Sequence, residues 1–159
     1  MRHTIIWKVF FVFSLSDPAL ADDHLPASLQ CINNMEQGES WDTCRAMIFA
    51  PCQEYAVGGS DHLACLRDEQ AQWQALRDDE LNALATVLTE PAAANMSDLM
   101  EHWYVSVATK CDAVAAGRAG ISAEAALVGC DISEIAGLTS ALRQCRLGQS
   151  AAEFCKRKD

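Results

Sequence analysis

The chain is poor in aromatic side chains, with four Trp, two Tyr and five Phe making up 7% of 159 residues. A core must then be built largely from Ala, Leu and Val, and a domain of this size built that way gains from covalent cross-links. The short motifs of hydrolytic, metal and redox chemistry are also missing. There is no HExxH, no GxSxG and no CxxC, so zincin, serine-hydrolase, zinc-ribbon and thioredoxin-type readings lose their usual spacing. The histidine–aspartate signature between cysteines that marks a secreted phospholipase is absent as well. No stretch alternates apolar and polar residues at a period of two, so strands have no signal. No repeat of solenoid length and no low-complexity linker occurs. Cations are scarce: 12 Lys and Arg stand against 22 Asp and Glu, a net charge of −10. Such a chain repels nucleic acid and anionic membrane and favours a basic partner.

What is present begins with a hydrophobic leader. Arg2 and Lys8 flank the start of an apolar run through residues 9–13, and Ala19-Leu20-Ala21 offers a small-x-small site for signal peptidase. The run is too short to span a bilayer of roughly 30 Å as a helix. No cysteine sits at the cut for lipid attachment. The expectation is a signal peptide over 1–21, then a single domain over 22–159 without membrane insertion. That domain keeps 10 basic and 21 acidic residues, a net charge near −11.

Eight cysteines follow the leader: Cys31, Cys44, Cys52, Cys65, Cys111, Cys130, Cys145 and Cys155. An even number in an exported chain reads as four structural disulfides, with a periplasmic or secreted location. Long, irregular spacing favours bridges over thiolate metal ligands. No metal and no cofactor is expected.

The apolar periodicity is helical throughout. Leu99, Met100, Trp103, Tyr104, Val107, Cys111, Val114 and Ala115 form one stripe at three- and four-residue steps. Residues 61–89 read as helix with Leu66, Trp73, Leu76, Leu81, Leu84 and Leu88 inward. A shorter helix is expected over 42–55, disturbed by Pro51, and another over 123–143, weakened by Gly129 and Gly137. Ser150-Ala151-Ala152-Glu153 fits a capping box that opens a last short helix. Gly58-Gly59-Ser60, residues 89–95 with Pro91, and residues 117–120 are the expected connections. The fold class is all-α, a compact disulfide-stapled bundle of four to five helices.

Helix geometry restricts the bridges. Cys44 and Cys52 on one helix would lie roughly 12 Å apart along the axis, beyond the 7 Å or so that a disulfide's Cα atoms tolerate. Cys52 and Cys65 flank the Gly58-Gly59 turn, Cys111 and Cys130 straddle residues 117–120, and Cys145 and Cys155 straddle Leu147-Gly148, which leaves Cys31 for Cys44. Of the 105 connectivities open to eight cysteines, this sequential one is favoured. Each bridge contributes about 3 kcal/mol in the chain-entropy model, before strain.

The order of these pieces resembles the lysozyme inhibitor LprI-like family of small exported bacterial domains. Cys44, Cys52 and Cys65 are followed by Glu69 and Trp73, Leu81-Asn82 is similar to the family's Leu-Asn pair, and Trp103 stands eight residues before Cys111, with Cys130 in an alanine-rich helix. The likeness covers about 44–143. Two departures are that Leu81-Asn82 falls about a turn late and that Val107-Ala108 occupies a step that is Arg-Asp in the family. The resemblance implies a periplasmic protein that binds lysozyme and blocks its cleft. The exposed contacts expected for this are Gly58-Gly59-Ser60-Asp61 and the Asp78-Asp79-Glu80 cluster. The alternative is an envelope interaction or structural protein. Enzymatic activity is not expected: the mature chain holds only His24, His62 and His102, and carboxylates such as Glu69 and Glu101 carry no sign of a glycosidase separation.

Overall fold

Leu- and Ala-rich stretches punctuated by glycine fold into the helices that their periodicity demands. The computed structural model describes Ser28, Gln30, Cys31, Asn34 and residues 42–158. The leader over 1–21, His24 and Trp41 lie outside the described residues. Over residues 42–158 four α-helices follow one another: α1 over Asp42–Ile48, α2 over Ser60–Val87, α3 over Glu90–Ala115 and α4 over Gly120–Arg146. Single 3₁₀ turns occupy Ala50–Cys52 and Glu153–Cys155. Among the described residues there is no strand, and the all-α class stands.

Three boundaries differ from expectation. The first helix ends at Ile48 instead of residue 55. Pro51 has no N–H to continue the ladder and its ring would meet the carbonyl of Met47, so the chain tightens into a 3₁₀ turn. Residues 89–95 are not a linker. Thr89 is extended, at ψ 156°, and α3 starts at the next residue with Pro91 in its first turn, where a missing N–H costs nothing. Ser150 opens no capping box. Its Oγ accepts from the Ala152 N–H at 3.3 Å, and one 3₁₀ turn follows. The chain is then drawn straight at Arg157, which bridges to Leu88 in antiparallel fashion.

The connectivity is up-down-up. Arg67 meets Glu124, Gln70 meets Asp131 and Glu80 meets Arg143, so partners advance together along α2 and α4, and these two helices run parallel. α3 returns between them in sequence. The helices therefore interleave: α2 packs along α4 more extensively than α3, its neighbour in sequence, does. α4 is the axis of the fold. It is long and apolar enough to cross a membrane, and it places that apolar surface in the core, burying Val128, Ile132, Ile135, Ala136 and Leu142.

Two apolar clusters form. The first joins Cys44, Ile48 and Cys52 to Leu63, Leu66 and Trp73 of α2 and to Val128, Ile132 and Ile135 of α4. Phe49 lies on this cluster, with its ring 3.8 Å from where a Cβ on Gly129 would stand. The second joins Leu84, Leu88, Ala92, Met96, Met100, Leu142, Cys145 and Cys155. Trp103 is half-buried and touches both.

All eight cysteines are paired as the spacing predicts: Cys31–Cys44, Cys52–Cys65, Cys111–Cys130 and Cys145–Cys155, with Cα atoms 5.1–5.7 Å apart. The tail is further anchored by two backbone bonds, Thr89 N–H to Lys156 O at 3.1 Å and Lys158 N–H to Val87 O at 2.8 Å. The helix that the tail meets has no cation in its own last turn, and Lys158 Nζ reaches Thr86 O at 3.4 Å. The tail thus brings positive charge to the negative end of the α2 dipole. α4 closes in a Schellman motif: Gly148 at φ 73° lets its N–H reach Cys145 O while the Gln149 N–H reaches Gln144 O.

Candidate functional site

The residues proposed for contact meet different fates. Gly58, at φ 81°, turns the chain into α2, the Gly59 N–H closes on Ala56 O at 2.9 Å, and Ser60 and Asp61 stand exposed. This turn is a surface feature, as expected. The Asp78-Asp79-Glu80 cluster is so only in part. Asp78 accepts two bonds from Arg77, at 2.9 and 2.7 Å, and only Asp79 is left to solvent alone. Glu80 is buried, taking Arg146 Nε at 2.6 Å and Arg143 Nη1 at 3.1 Å. It sits on the inward stripe, seven residues after Trp73 and four before Leu84, and Arg143 and Arg146 are one turn apart on α4. This carboxylate holds the two parallel helices in register and raises the Arg146 guanidinium above its already high value through their hydrogen bond. It is unavailable to a partner.

Glu69 is the second carboxylate turned inward. It is 5% exposed on α2 between Leu66 and Trp73, and no hydrogen bond reaches it from the described residues. Burial pushes its carboxyl above the ordinary value. The consequence for stability follows from linkage. The unfolded chain ionises Glu69 near the ordinary carboxylate pKa while the folded chain resists, so stability is fully present below that pH, falls as pH rises through the folded pKa, and stays reduced at neutrality. Glu69→Gln is therefore expected to match the wild type in urea unfolding near pH 4 and to exceed it at pH 7. A variant that is weaker than wild type at pH 7 overturns this assignment.

The histidines and remaining carboxylates do not converge. His102 is exposed on α3 beside Glu101, and His62 is half-buried in the first turn of α2, with its Nδ1 enclosed and without a hydrogen-bond partner among the described residues. Glu69 and Glu101 lie on different helices, one buried and one in water. Among the described residues no three His, Cys, Asp or Glu gather as metal ligands, and every described cysteine is bridged.

Surface charge is distributed unevenly. Arg143, Arg146, Lys156, Arg157 and Lys158 gather at the end where α2 finishes and the tail bridges to it. At the other end Arg67 and Lys110 are each paired, with Glu124 and Glu134 respectively, and Arg118 is exposed in the α3–α4 turn. A groove of about 250 Å³ opens there beside the Cys111–Cys130 bridge. Val107, Ala108 and Cys111 of α3 and Leu127 of α4 make its apolar walls, with Gln70, Asp112 and Asp131 as its polar lining. Gln70 Nε2 donates to Asp131, an acid–amide pair that no pattern in the sequence announces. A second hollow of about 120 Å³ lies between the Gly58 turn and the start of α4, lined by His62, Arg118 and Ser122. No family model, curated protein or solved structure matches this chain.

Proposed function

We propose that this chain is an exported, acidic binding protein whose partner is a basic protein, with a periplasmic or secreted location and lysozyme as the first target to test. Four bridges and no free cysteine among the described residues support an oxidising compartment for the folded chain. The observation that carries the reading is the state of the cations. Of a chain with net charge −10, Arg67, Arg77, Lys110, Arg143 and Arg146 are all committed to its own carboxylates. Away from the cations of the tail, exposed Asp61, Asp68, Asp79, Asp98, Glu101 and Asp112 weight the surface field towards the acidic. Charge of one sign on a stapled scaffold accelerates encounter with an oppositely charged protein and limits the ordering cost of binding.

Lysozyme is named because of the resemblance to the LprI-like family over 44–143 and because animal-type lysozymes are commonly basic. An inhibitor would cover the cleft and keep substrate from its paired carboxylates, and the exposed Gly58–Asp61 turn is a suitable element to enter it. The oxidised mature domain, added at stoichiometric amounts to several lysozymes, is expected to slow muramidase activity, with the effect weakening as salt rises. A folded domain that binds no lysozyme of any class ends the inhibitor reading. Recovery with peptidoglycan or membrane fractions instead would support an envelope interaction protein.

A further inference from the structure

Four features of the groove beside Cys111–Cys130 belong together. Its walls are apolar, and the apolar surface continues outward: Leu127 is 37% exposed, and Val105 and Val114, at 66% and 45%, flank it along α3. Its volume of about 250 Å³ falls short of the roughly 300–1,000 Å³ of sites that enclose small-molecule ligands, and suits one large side chain. Its two charged lining groups, Asp112 and Asp131, are both acids. Finally, two cations at this end are paired with the chain's own acids, Lys110 with Glu134 and Arg67 with Glu124, while Arg118 lines the separate hollow by the Gly58 turn. Among the described residues, the Asp131 carboxylate is met by an amide, Gln70, and by no cation.

The end of the bundle that holds this groove is also the end remote from the tail's cations. A positively charged segment would meet the two acids of the groove, neither of them in an ion pair among the described residues, and a denser cluster of like charge at the opposite pole. The groove is narrow because α3 and α4 are held together by the bridge at its base, so its shape is set before a partner arrives.

We propose that this groove is a docking site for the basic partner in addition to the Gly58–Asp61 turn, accepting one apolar side chain from a segment whose neighbours are lysine or arginine, with Asp112 and Asp131 meeting those cations. The proposal rests on the basic-partner reading above and deepens it. The apolar residue would act as the central anchor of the contact, with the surrounding charge giving orientation and encounter rate.

The test uses the oxidised mature protein, ¹⁵N-labelled, and two blocked synthetic peptides, Lys-Lys-Phe-Lys-Lys and Lys-Lys-Gly-Lys-Lys. The expected result is saturable shifts centred on Gln70, Ala108, Asp112, Leu127 and Asp131, with the phenylalanine peptide binding about ten-fold tighter, the ratio that 1.4 kcal/mol of anchor burial gives. Filling the groove by Ala108→Trp should abolish that preference. Leu127→Ser, at an exposed position, should reduce it with thermal unfolding near the wild type, which keeps the test valid if the bulkier variant folds poorly. Equal binding of both peptides, with shifts spread over the whole acidic surface, overturns the groove and leaves the basic-partner reading standing. Absence of any shift with either peptide, together with no binding to lysozyme, overturns both.

Discussion

Replacing Trp73 with alanine should lower the free energy of unfolding by about 3–5 kcal/mol. Trp73 is 1% exposed in the cluster where α1 and its 3₁₀ extension, α2 and α4 meet, and no neighbour is placed to fill the volume of an indole without moving a helix. A loss of this size is a large part of the 5–15 kcal/mol that holds a domain together, and should lower the unfolding midpoint by on the order of 10 °C. Trp103→Ala is the control. Its ring is already partly in water, so the same truncation removes less buried area and should cost less. Urea unfolding with the disulfides kept oxidised decides the matter. A Trp73→Ala protein within about 1 kcal/mol of wild type would mean that the indole is not the keystone of this cluster.

Opening the Cys111–Cys130 bridge by a double alanine substitution should remove about 3 kcal/mol. It closes the longest of the four loops, 19 residues, but the more telling effect is local. Beyond Trp103, α3 buries only Val107 and Cys111, whereas its first half buries Ala92, Met96 and Met100 in the second cluster. The second half of α3 is therefore held to α4 mainly by the bridge and by the Lys110–Glu134 pair, and exposed ion pairs add little. Amide exchange over 105–115 should rise well above that of α4 in the double variant, since local opening follows sparse buried contacts. Unchanged protection there, at any global stability, would show that packing alone holds this segment. Removing Cys145–Cys155 should leave 105–115 untouched.

Much of this was legible in the sequence, because helical period and turn residues are local properties. The three long helices, the sequential bridges and Trp73 as a core residue all follow from steps of three and four and from glycine placement. The errors arose where local signals compete. Pro91 reads as a breaker, yet the first turn of a helix is where proline is tolerated best, and Thr89 supplies the extended cap from which that helix starts. Glu80 reads as the last of three surface acids, although its distance from Trp73 and Leu84 already placed it on the inward stripe. What could not be read was its partner, since Arg143 and Arg146 come 63 and 66 residues later, on a helix whose parallel packing against α2 is a tertiary outcome. The groove was invisible for the same reason. Its seven lining residues come from three helices, and only Cys111 had been singled out for chemistry, as a bridge.

The order of the four bridges has a consequence for how the chain can mature. Each cysteine is joined to the next one along the sequence, with none skipped. A polypeptide entering an oxidising space from its N-terminal side presents these residues two at a time, so the pair exposed first is already the native one. Thiol–disulfide exchange, which repairs wrong pairs by passing through mixed intermediates, is needed only if oxidation lags behind entry by more than one bridge. This topology allows a simple dithiol oxidase to complete the covalent framework without an isomerase. Under such entry the tail would bridge last and lock the α2–α3 turn once everything before it is in place.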